Sequence, residues 1–162
     1  KIVRLFANHW KSKSGGEIES EKWRKWQEKV LANIFQSKSD NEILVAAGDF
    51  NKDIREFDRN EFGEILFKDF SSEETKNVVV YSPWDDFEDK DLGTYYFDSS
   101  WEKIDHFFVM KKEFIKEFDV LSFEELTNDD GSPNKFELYK NKGYSDHLPI
   151  FCRINLTKAV NP

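Results

Sequence analysis

The sequence has little cysteine and no long apolar run, and each shortage excludes a class of structure. Cys152 is the one cysteine among 162 residues, which excludes an internal disulfide and a zinc site built from cysteines. The longest apolar run covers residues 43–47, far short of the roughly 20 residues that a helix needs to cross a bilayer. We therefore expect no stable membrane insertion.

Positive charge is also scarce. The chain has 24 Lys and Arg residues against 32 Asp and Glu residues, and its net charge is -8. Tight electrostatic adhesion to DNA or anionic lipid relies on basic surface, so this composition argues against it, whereas transient contact during catalysis stays open. Aromatic residues, in contrast, make up 16% of the chain. They must be buried, so we expect a folded domain rather than a disordered tail.

Local patterning predicts a chain that begins within a β-strand. Residues 2–7 are rich in strand-forming residues and have no lead-in, so we expect the chain to be a piece of a longer protein. An amphipathic helix is predicted from Ser20 to near Ser37, because apolar residues recur at helical spacing from Trp23 and Trp26 onward. We expect these tryptophans to cover the core.

The remaining pattern favours strands over helices. Residues 43–47 are predicted to form a strand buried on both faces, because the run is continuously apolar. A second helix is predicted around residues 60–70, and the longest loop at residues 127–143. Further strands are predicted at residues 77–81, 94–97, 104–110, 119–122 and 148–156. This order predicts a sheet-dominated α+β sandwich.

Polar groups interrupt or follow several of these strands, at positions where a rigid sheet can hold side chains beside an open loop. Asp49 and Asn51 follow the strand at residues 43–47. In an extended chain both side chains would point to the same side, and a carboxylate beside an amide suits a site that holds a hard cation or activates water. Taken alone, the same residues also fit a simple capped turn.

A second group of candidates could move protons. Asp146 and His147 precede the last strand, and His147 needs a carboxylate to orient it, a role that Asp105 could take. His9, at the end of the first strand, could donate to developing negative charge. Taken alone, an Asp-His pair also fits a solvated loop. His106 is interpreted as a packing or surface residue.

The joint occurrence and order of these motifs resemble the endonuclease/exonuclease/phosphatase superfamily, which has a deoxyribonuclease I-like fold. The resemblance is carried by Asn8-His9-Trp10-Lys11-Ser12, Gly48-Asp49-Phe50-Asn51, Trp101 with Ile104-Asp105-His106, and Ser145-Asp146-His147-Leu148-Pro149-Ile150. It implies half or more of a four-layered α/β sandwich, with mixed, mostly antiparallel sheets flanked by helices.

The resemblance also implies roles for these residues. Asp49 would position the attacking water, Asn51 and His9 would hold the phosphate, and His147, oriented by Asp105, would stabilise or protonate the phosphoryl group. The implied cofactor is Mg²⁺ or Mn²⁺. Asp146 and Asp49 would lie at the metal.

Residues 1–162 therefore correspond to the C-terminal portion of one such domain. The family's N-terminal half supplies a metal-binding glutamate that is not found here, so we expect that missing half, or a second copy of the chain, as a partner. The implied function is a phosphodiesterase or nuclease that acts by in-line attack of water. Sphingomyelin and inositol phosphate are alternative substrates, and a non-catalytic binding module is the alternative function. A secreted or periplasmic bacterial location is slightly favoured.

Overall fold

The computed structural model describes residues 2–69 and 77–156 and has an α+β architecture, as the sequence predicts. Its long helix, α1, spans Glu17–Gln36. The strands are β1 Ile2–His9, β2 Glu42–Asp49, β3 Ile65–Phe67, β4 Val78–Val80, β5 Tyr95–Phe97, β6 Ser100–Glu102, β7 Asp105–Val109, β8 Ile115–Val120 and β9 Ile150–Ile154. Four single-turn 3₁₀ helices connect them, at Ile54–Glu56, Pro83–Asp85, Lys112–Phe114 and Glu124–Leu126. The four-layered sandwich stays a prediction.

A three-stranded mixed sheet in the order β1-β2-β7 carries the candidate residues. β2 lies in the middle, parallel to β1 and antiparallel to β7. Its residues from Ile43 to Ala46 are buried, which confirms the predicted strand with two covered faces. The strand pairs β3-β4, β5-β6 and β8-β9 are antiparallel.

A cluster of aromatic rings fills the core behind the end of β2. Phe50, directly after Asp49, is fully buried and packs edge-on against Phe108 of β7, with ring centroids 5.1 Å apart. Phe67 of β3 lies 4.9 Å from Phe108 in the same cluster. Edge-to-face pairs of this kind are favourable beyond their buried area. The cluster therefore holds the backbone between Asp49 and Asn51 against the core.

The prediction for α1 is right in position and wrong for the first part of its apolar stripe. Trp23, Trp26 and Val30 are 53%, 63% and 55% exposed, so they do not cover the core. The helix instead buries Ser20, Arg24, Glu28, Leu31, Ala32 and Phe35. Over the first turns of α1 apolar spacing indicates the wrong face, because the buried Ser20, Arg24 and Glu28 form hydrogen bonds inside the protein, which lower the usual penalty for burying them.

The predicted helix around residues 60–70 is also wrong over the part that the structure describes, to residue 69. The side-chain oxygen of Asn60 accepts hydrogen bonds from the backbone N–H groups of Phe62 and Glu64, and Gly63 has a φ of 79°. These contacts form a turn that leads into β3, because an Asn side chain competes with helical hydrogen bonding.

The other predicted strands are found with shifted ends. β4, β5, β7 and β9 lie within the predicted ranges, whereas β8 begins at Ile115 rather than at residue 119. β3 and β6 are missing from the prediction: β3 lies where a helix was predicted, and β6 has Trp101 as its one apolar residue. Residues 127–143 contain no regular strand or helix, as expected. Within the described part of the chain, no helix is long and apolar enough to span a membrane.

Gly48 provides a test of how β1 and β2 fit together. Its φ is 127°, and a Cβ added there would lie 2.1 Å from the backbone oxygen of Asn8. Gly48→Ala should therefore lower the free energy of unfolding by about 2 kcal/mol or more, as measured by urea denaturation. Gly63→Ala is the control, because Gly63 also has a positive φ but open space around it. Equal losses in the two variants would contradict the close approach of the strands.

Candidate active site

The sheet register places three of the predicted residues in one row. His9 of β1 pairs with Asp49 of β2, and Asp49 pairs with Asp105 of β7. Neighbouring strands lie about 4.8 Å apart, so residues in register are close although they are distant in sequence. The Nε2 atom of His9 lies 3.7 Å from Oδ2 of Asp49, and the His9 side chain is 79% exposed. His9 thus stands at the open edge of the row.

Asn51 folds back onto Asp49 instead of continuing the strand. Its φ is 47°, a conformation that non-glycine residues seldom adopt. The backbone N–H of Asn51 donates to Oδ1 of Asp49 at 2.7 Å, and its Nδ2 donates to Oδ2 of Asp49 at 3.0 Å and to the carbonyl of Trp10 at 3.1 Å. Both amide hydrogens are therefore used within the protein. In this conformation Asn51 holds Asp49, and its contact with a phosphate stays a prediction.

Asp49 combines partial burial with two kinds of neighbour. Burial raises the pKa of its carboxyl, the hydrogen bond from the Asn51 backbone acts in the opposite direction, and the charge of Asp105 raises the pKa further. The net result is a pKa above the ordinary value. A carboxylate with a raised pKa is a better proton acceptor than a free one.

His147 and Asp105 form a hydrogen-bonded pair across 42 positions of sequence. Nδ1 of His147 donates to Oδ2 of Asp105 at 2.8 Å. Nε2 is therefore the ring nitrogen that can exchange a proton with another group. The backbone N–H of Leu148 donates to the carbonyl of Thr94 at 2.7 Å, and the Tyr95 ring lies 5.0 Å from the imidazole. These contacts hold the segment that carries His147 against β5.

The pair keeps His147 protonated to higher pH. Burial alone lowers the pKa of the imidazole, but the hydrogen bond to Asp105 and the charges of Asp105 and Asp49 outweigh it. The pKa of His147 therefore lies above its ordinary value of 6.5. A group of this kind can serve as a proton donor near neutral pH.

A cavity of about 740 Å³ opens over this row. It contains four of the five predicted catalytic residues, and Asp105 supports His147 from the side. Its lining comprises His9, Ser12, Lys13, Ser14, Glu17, Asp49, Asn51, Tyr95, Phe97, Glu102, Ile104, Asp146 and His147. Sequence reasoning did not single out Lys13, Tyr95 or Phe97. The alternation of Tyr95 and Phe97 along a strand was the available signal, since residues two apart share a face.

The oxygen and nitrogen ligands near the cavity give little support to the predicted metal site. Asp146 lines the cavity, and its Oδ2 lies 3.1 Å from Nζ of Lys135. Within residues 2–69 and 77–156, no three His, Cys, Asp or Glu side chains are grouped closely enough to hold an ion. The described residues therefore do not form a complete site for Mg²⁺ or Mn²⁺. The roles of Asp49 and Asp146 at a metal stay predictions.

Comparison with known proteins agrees with the motifs. A model of the endonuclease/exonuclease/phosphatase family matches residues 1–156. The chain belongs to this family. The resemblance inferred from the four motifs is thereby confirmed. No curated protein matches the chain.

Solved structures support the fold of the family. A humanized D. rerio TDP2 with 14 mutations has a TM-score of 0.59 and 15% identity, over 94% of this chain and 55% of that one. D. rerio TDP2 complexed with a single-strand DNA product has a TM-score of 0.54 and 15% identity, over 93% and 55%. At this identity the likeness shows the fold alone. The chain spans about half the length of these two proteins.

The pair of Asp105 and His147 can be tested by titration. Asp105→Asn removes the charge and the acceptor that favour the imidazolium, so the pKa of His147 should fall, as followed by NMR of its ring. The sign for stability follows from linkage. The stabilisation from this pair is complete below pH 6.5 and is lost as the pH rises through the higher pKa of the folded state.

Asp40→Asn is the control, because Asp40 is exposed and precedes the opposite end of β2. It should leave the titration of His147 unchanged. A pKa of His147 that stays the same or rises in Asp105→Asn would show that the carboxylate does not stabilise the charged ring.

Proposed function

We propose that this chain is the C-terminal portion of a divalent-metal-dependent phosphodiesterase that cleaves nucleic acid by in-line attack of water on phosphorus. One observation carries the proposal. The hydrogen-bonded Asp105 and His147 and the hydrogen-bonded Asn51 and Asp49 meet at one cavity. Membership of the endonuclease/exonuclease/phosphatase family adds support from sequence.

Residues on two sides of the cavity would take different roles in the reaction. Asp49, held by Asn51, would accept a hydrogen bond from the attacking water and align it. His147 would donate from Nε2 to an oxygen of the phosphoryl group, where negative charge grows in the transition state. Asp105 would keep the ring in the tautomer that this requires. His9 would donate at the rim.

The cavity's charge supports dependence on a cation. Glu17, Asp49, Glu102 and Asp146 line it, against Lys13 as the one lining Lys or Arg in the described part of the chain. Lys13 is itself paired with Glu56. Such a lining repels a phosphodiester unless positive charge beyond the His147 imidazolium is present. A bound Mg²⁺ or Mn²⁺ would supply that charge, but no step is assigned to it because the described ligand set is incomplete.

Two aromatic side chains at the cavity support nucleic acid as the substrate. The rings of Tyr95 and Phe97 are stacked, with centroids 6.1 Å apart and planes 9° apart, and Phe97 is 61% exposed. Nucleobases stack on such rings regardless of sequence. The likeness to D. rerio TDP2, whose structure contains a single-strand DNA product, also favours single-stranded DNA. Sphingomyelin and inositol phosphate are the alternatives that a substrate panel would separate.

The catalytic proposal predicts a metal-dependent activity that fails in two variants. The complete protein should cleave single-stranded DNA with Mg²⁺ or Mn²⁺ and lose the activity with EDTA. His147→Ala and Asp49→Ala should each lower kcat by about 100-fold or more, because each removes a group that acts in the transition state. Asp40→Ala should leave kcat unchanged.

If the complete protein binds DNA without metal-dependent turnover, the non-catalytic alternative is correct. If the two variants keep wild-type kcat, the proposed residue roles are wrong even though the protein is an enzyme. Turnover of sphingomyelin or inositol phosphate in place of DNA would correct the substrate alone.

If Tyr95 and Phe97 stack on bases, their loss should affect KM for substrates with bases and not for substrates without them. Tyr95→Ala and Phe97→Ala should each raise KM for a single-stranded oligonucleotide by about tenfold, because each removes a stacking surface for a base. KM for a small phosphodiester without bases should change little. Phe62→Ala is the control, since Phe62 is 79% exposed and does not line the cavity. Equal changes for both substrates would argue against base stacking.

A further inference from the structure

The buried side of α1 is polar where it lies against the site. Arg24 and Glu28 are 1% and 0% exposed, whereas Trp23 and Trp26, on the same turns, face outward. Burying charged groups is unfavourable unless each finds partners. An apolar side chain at Glu28 would avoid that penalty. The buried carboxylate of Glu28 is therefore expected to hold other groups of the protein in place.

Glu28 holds the segment that follows Asn51. Its Oε2 accepts a hydrogen bond from Nζ of Lys52 at 2.8 Å, and its Oε1 accepts one from the backbone N–H of Lys68 at 3.1 Å. The Lys52 side chain is 7% exposed, and its ammonium lies 4.4 Å from the centre of the Phe57 ring. The carbonyl of Lys52 accepts from Nε2 of the buried His106 at 2.8 Å. Lys52 is thus held at both its side chain and its backbone.

The same helix also holds the loop that follows His9. The side-chain oxygen of Gln27 accepts from the backbone N–H of Lys11 at 3.0 Å, and Nη1 of Arg24 donates to the carbonyl of Lys11 at 3.2 Å. Ser12, directly after Lys11, lines the cavity. One face of α1 therefore contacts two of the loops that surround the candidate active site.

The backbone at Asn51 explains why such support is needed. A φ of 47° is less favourable than extended backbone even for Asn, although Asn adopts it more readily than most non-glycine residues, so contacts around the segment help to keep it. Asn51 is followed at once by Lys52, whose side chain is buried against Glu28. Loss of this pair would remove the side-chain support of Lys52 and leave its carbonyl hydrogen bond to His106. The segment would then relax toward an extended conformation more often, and Asn51 would lose its contacts with Asp49 for part of the time.

We propose that Glu28, through its ion pair with Lys52, is a positioning residue that keeps Asn51 folded onto Asp49. Glu28 does not line the cavity, so it acts through Lys52 and not on the substrate. The predicted effect of Glu28 on turnover rests on the proposed function. Its structural part, the geometry of Asn51, can be measured in a protein that has no activity.

The decisive variant is Glu28→Met with Lys52→Met. Replacing both members of a buried ion pair with apolar residues of similar size often leaves stability unchanged or higher. The backbone N–H of Lys68 also loses its acceptor on Glu28, so the midpoint of urea unfolding should fall, but by less than in Leu31→Ala. The backbone amide of Asn51, which donates to Asp49, should exchange its hydrogen about tenfold faster. The amide of Val45 in β2 should keep its protection. kcat should fall by about tenfold with little change in KM.

Leu31→Ala is the matched control. Leu31 is 4% exposed on the same helix and belongs to the apolar core, so its truncation should lower the urea midpoint while Asn51 exchange and kcat stay near wild type at low denaturant. If the double variant fails to fold, Glu28→Gln is used. It keeps the size of the side chain but removes the charge that balances the buried Lys52 ammonium, so its urea midpoint should fall. At low denaturant, Asn51 exchange and kcat should change in the same direction as in the double variant.

Unchanged Asn51 exchange in the folded double variant, or in Glu28→Gln, would overturn the proposal. A loss of kcat in Leu31→Ala as large as the loss in the other variants would also overturn it, because kcat would then simply follow stability. A wild-type protein without turnover would overturn the proposed function. In that case the exchange of the Asn51 amide still decides the role of Glu28.

Discussion

The register of the β1-β2-β7 sheet is the constraint on which the candidate active site depends. It places His9, Asp49 and Asp105 side by side at one end of three strands. A slip of one residue would turn every side chain of a strand to the opposite face. Gly48 supports this register, because the backbone of Asn8 approaches it too closely for any side chain. The spacing of the chemical groups thus follows from backbone packing one residue earlier.

The site balances two opposing electrostatic effects. Burial makes charge unfavourable at Asp49 and at His147. At His147 the nearby carboxylates outweigh burial and favour the charged ring, whereas at Asp49 the charge of Asp105 adds to burial and favours the neutral acid. His147 therefore keeps its proton to higher pH and Asp49 binds a proton more readily, as the proposed reaction requires.

Helix α1 shows how a polar interior can be stable. Its apolar spacing alone indicates a surface with Trp23 and Trp26 inside, yet Arg24 and Glu28 are buried instead. Each finds hydrogen-bonding partners on loops next to the cavity. A periodicity argument cannot weigh such contacts, because the partners lie elsewhere in the chain.

The site could be predicted further from sequence than the fold could. The motifs indicated Asp49, Asn51, Asp105, Asp146 and His147 as one group, and the structure brings them to one cavity or beside it. The distance between Asp105 and His147 along the chain gave no reason of its own for their contact. Lys13, Tyr95 and Phe97 were missed because nothing local distinguishes a cavity lining from an exposed loop or hairpin.

The α+β class, the buried strand β2 and the family can be inferred from the sequence, because apolar runs and short motifs are local and survive in the linear order. The burial of Arg24 and Glu28 in place of the tryptophans of α1, and the turn of Asn51 back to Asp49, become visible in the folded chain alone. Those outcomes depend on contacts between residues tens of positions apart, and the energy of such contacts is set by packing geometry that no local window of residues contains.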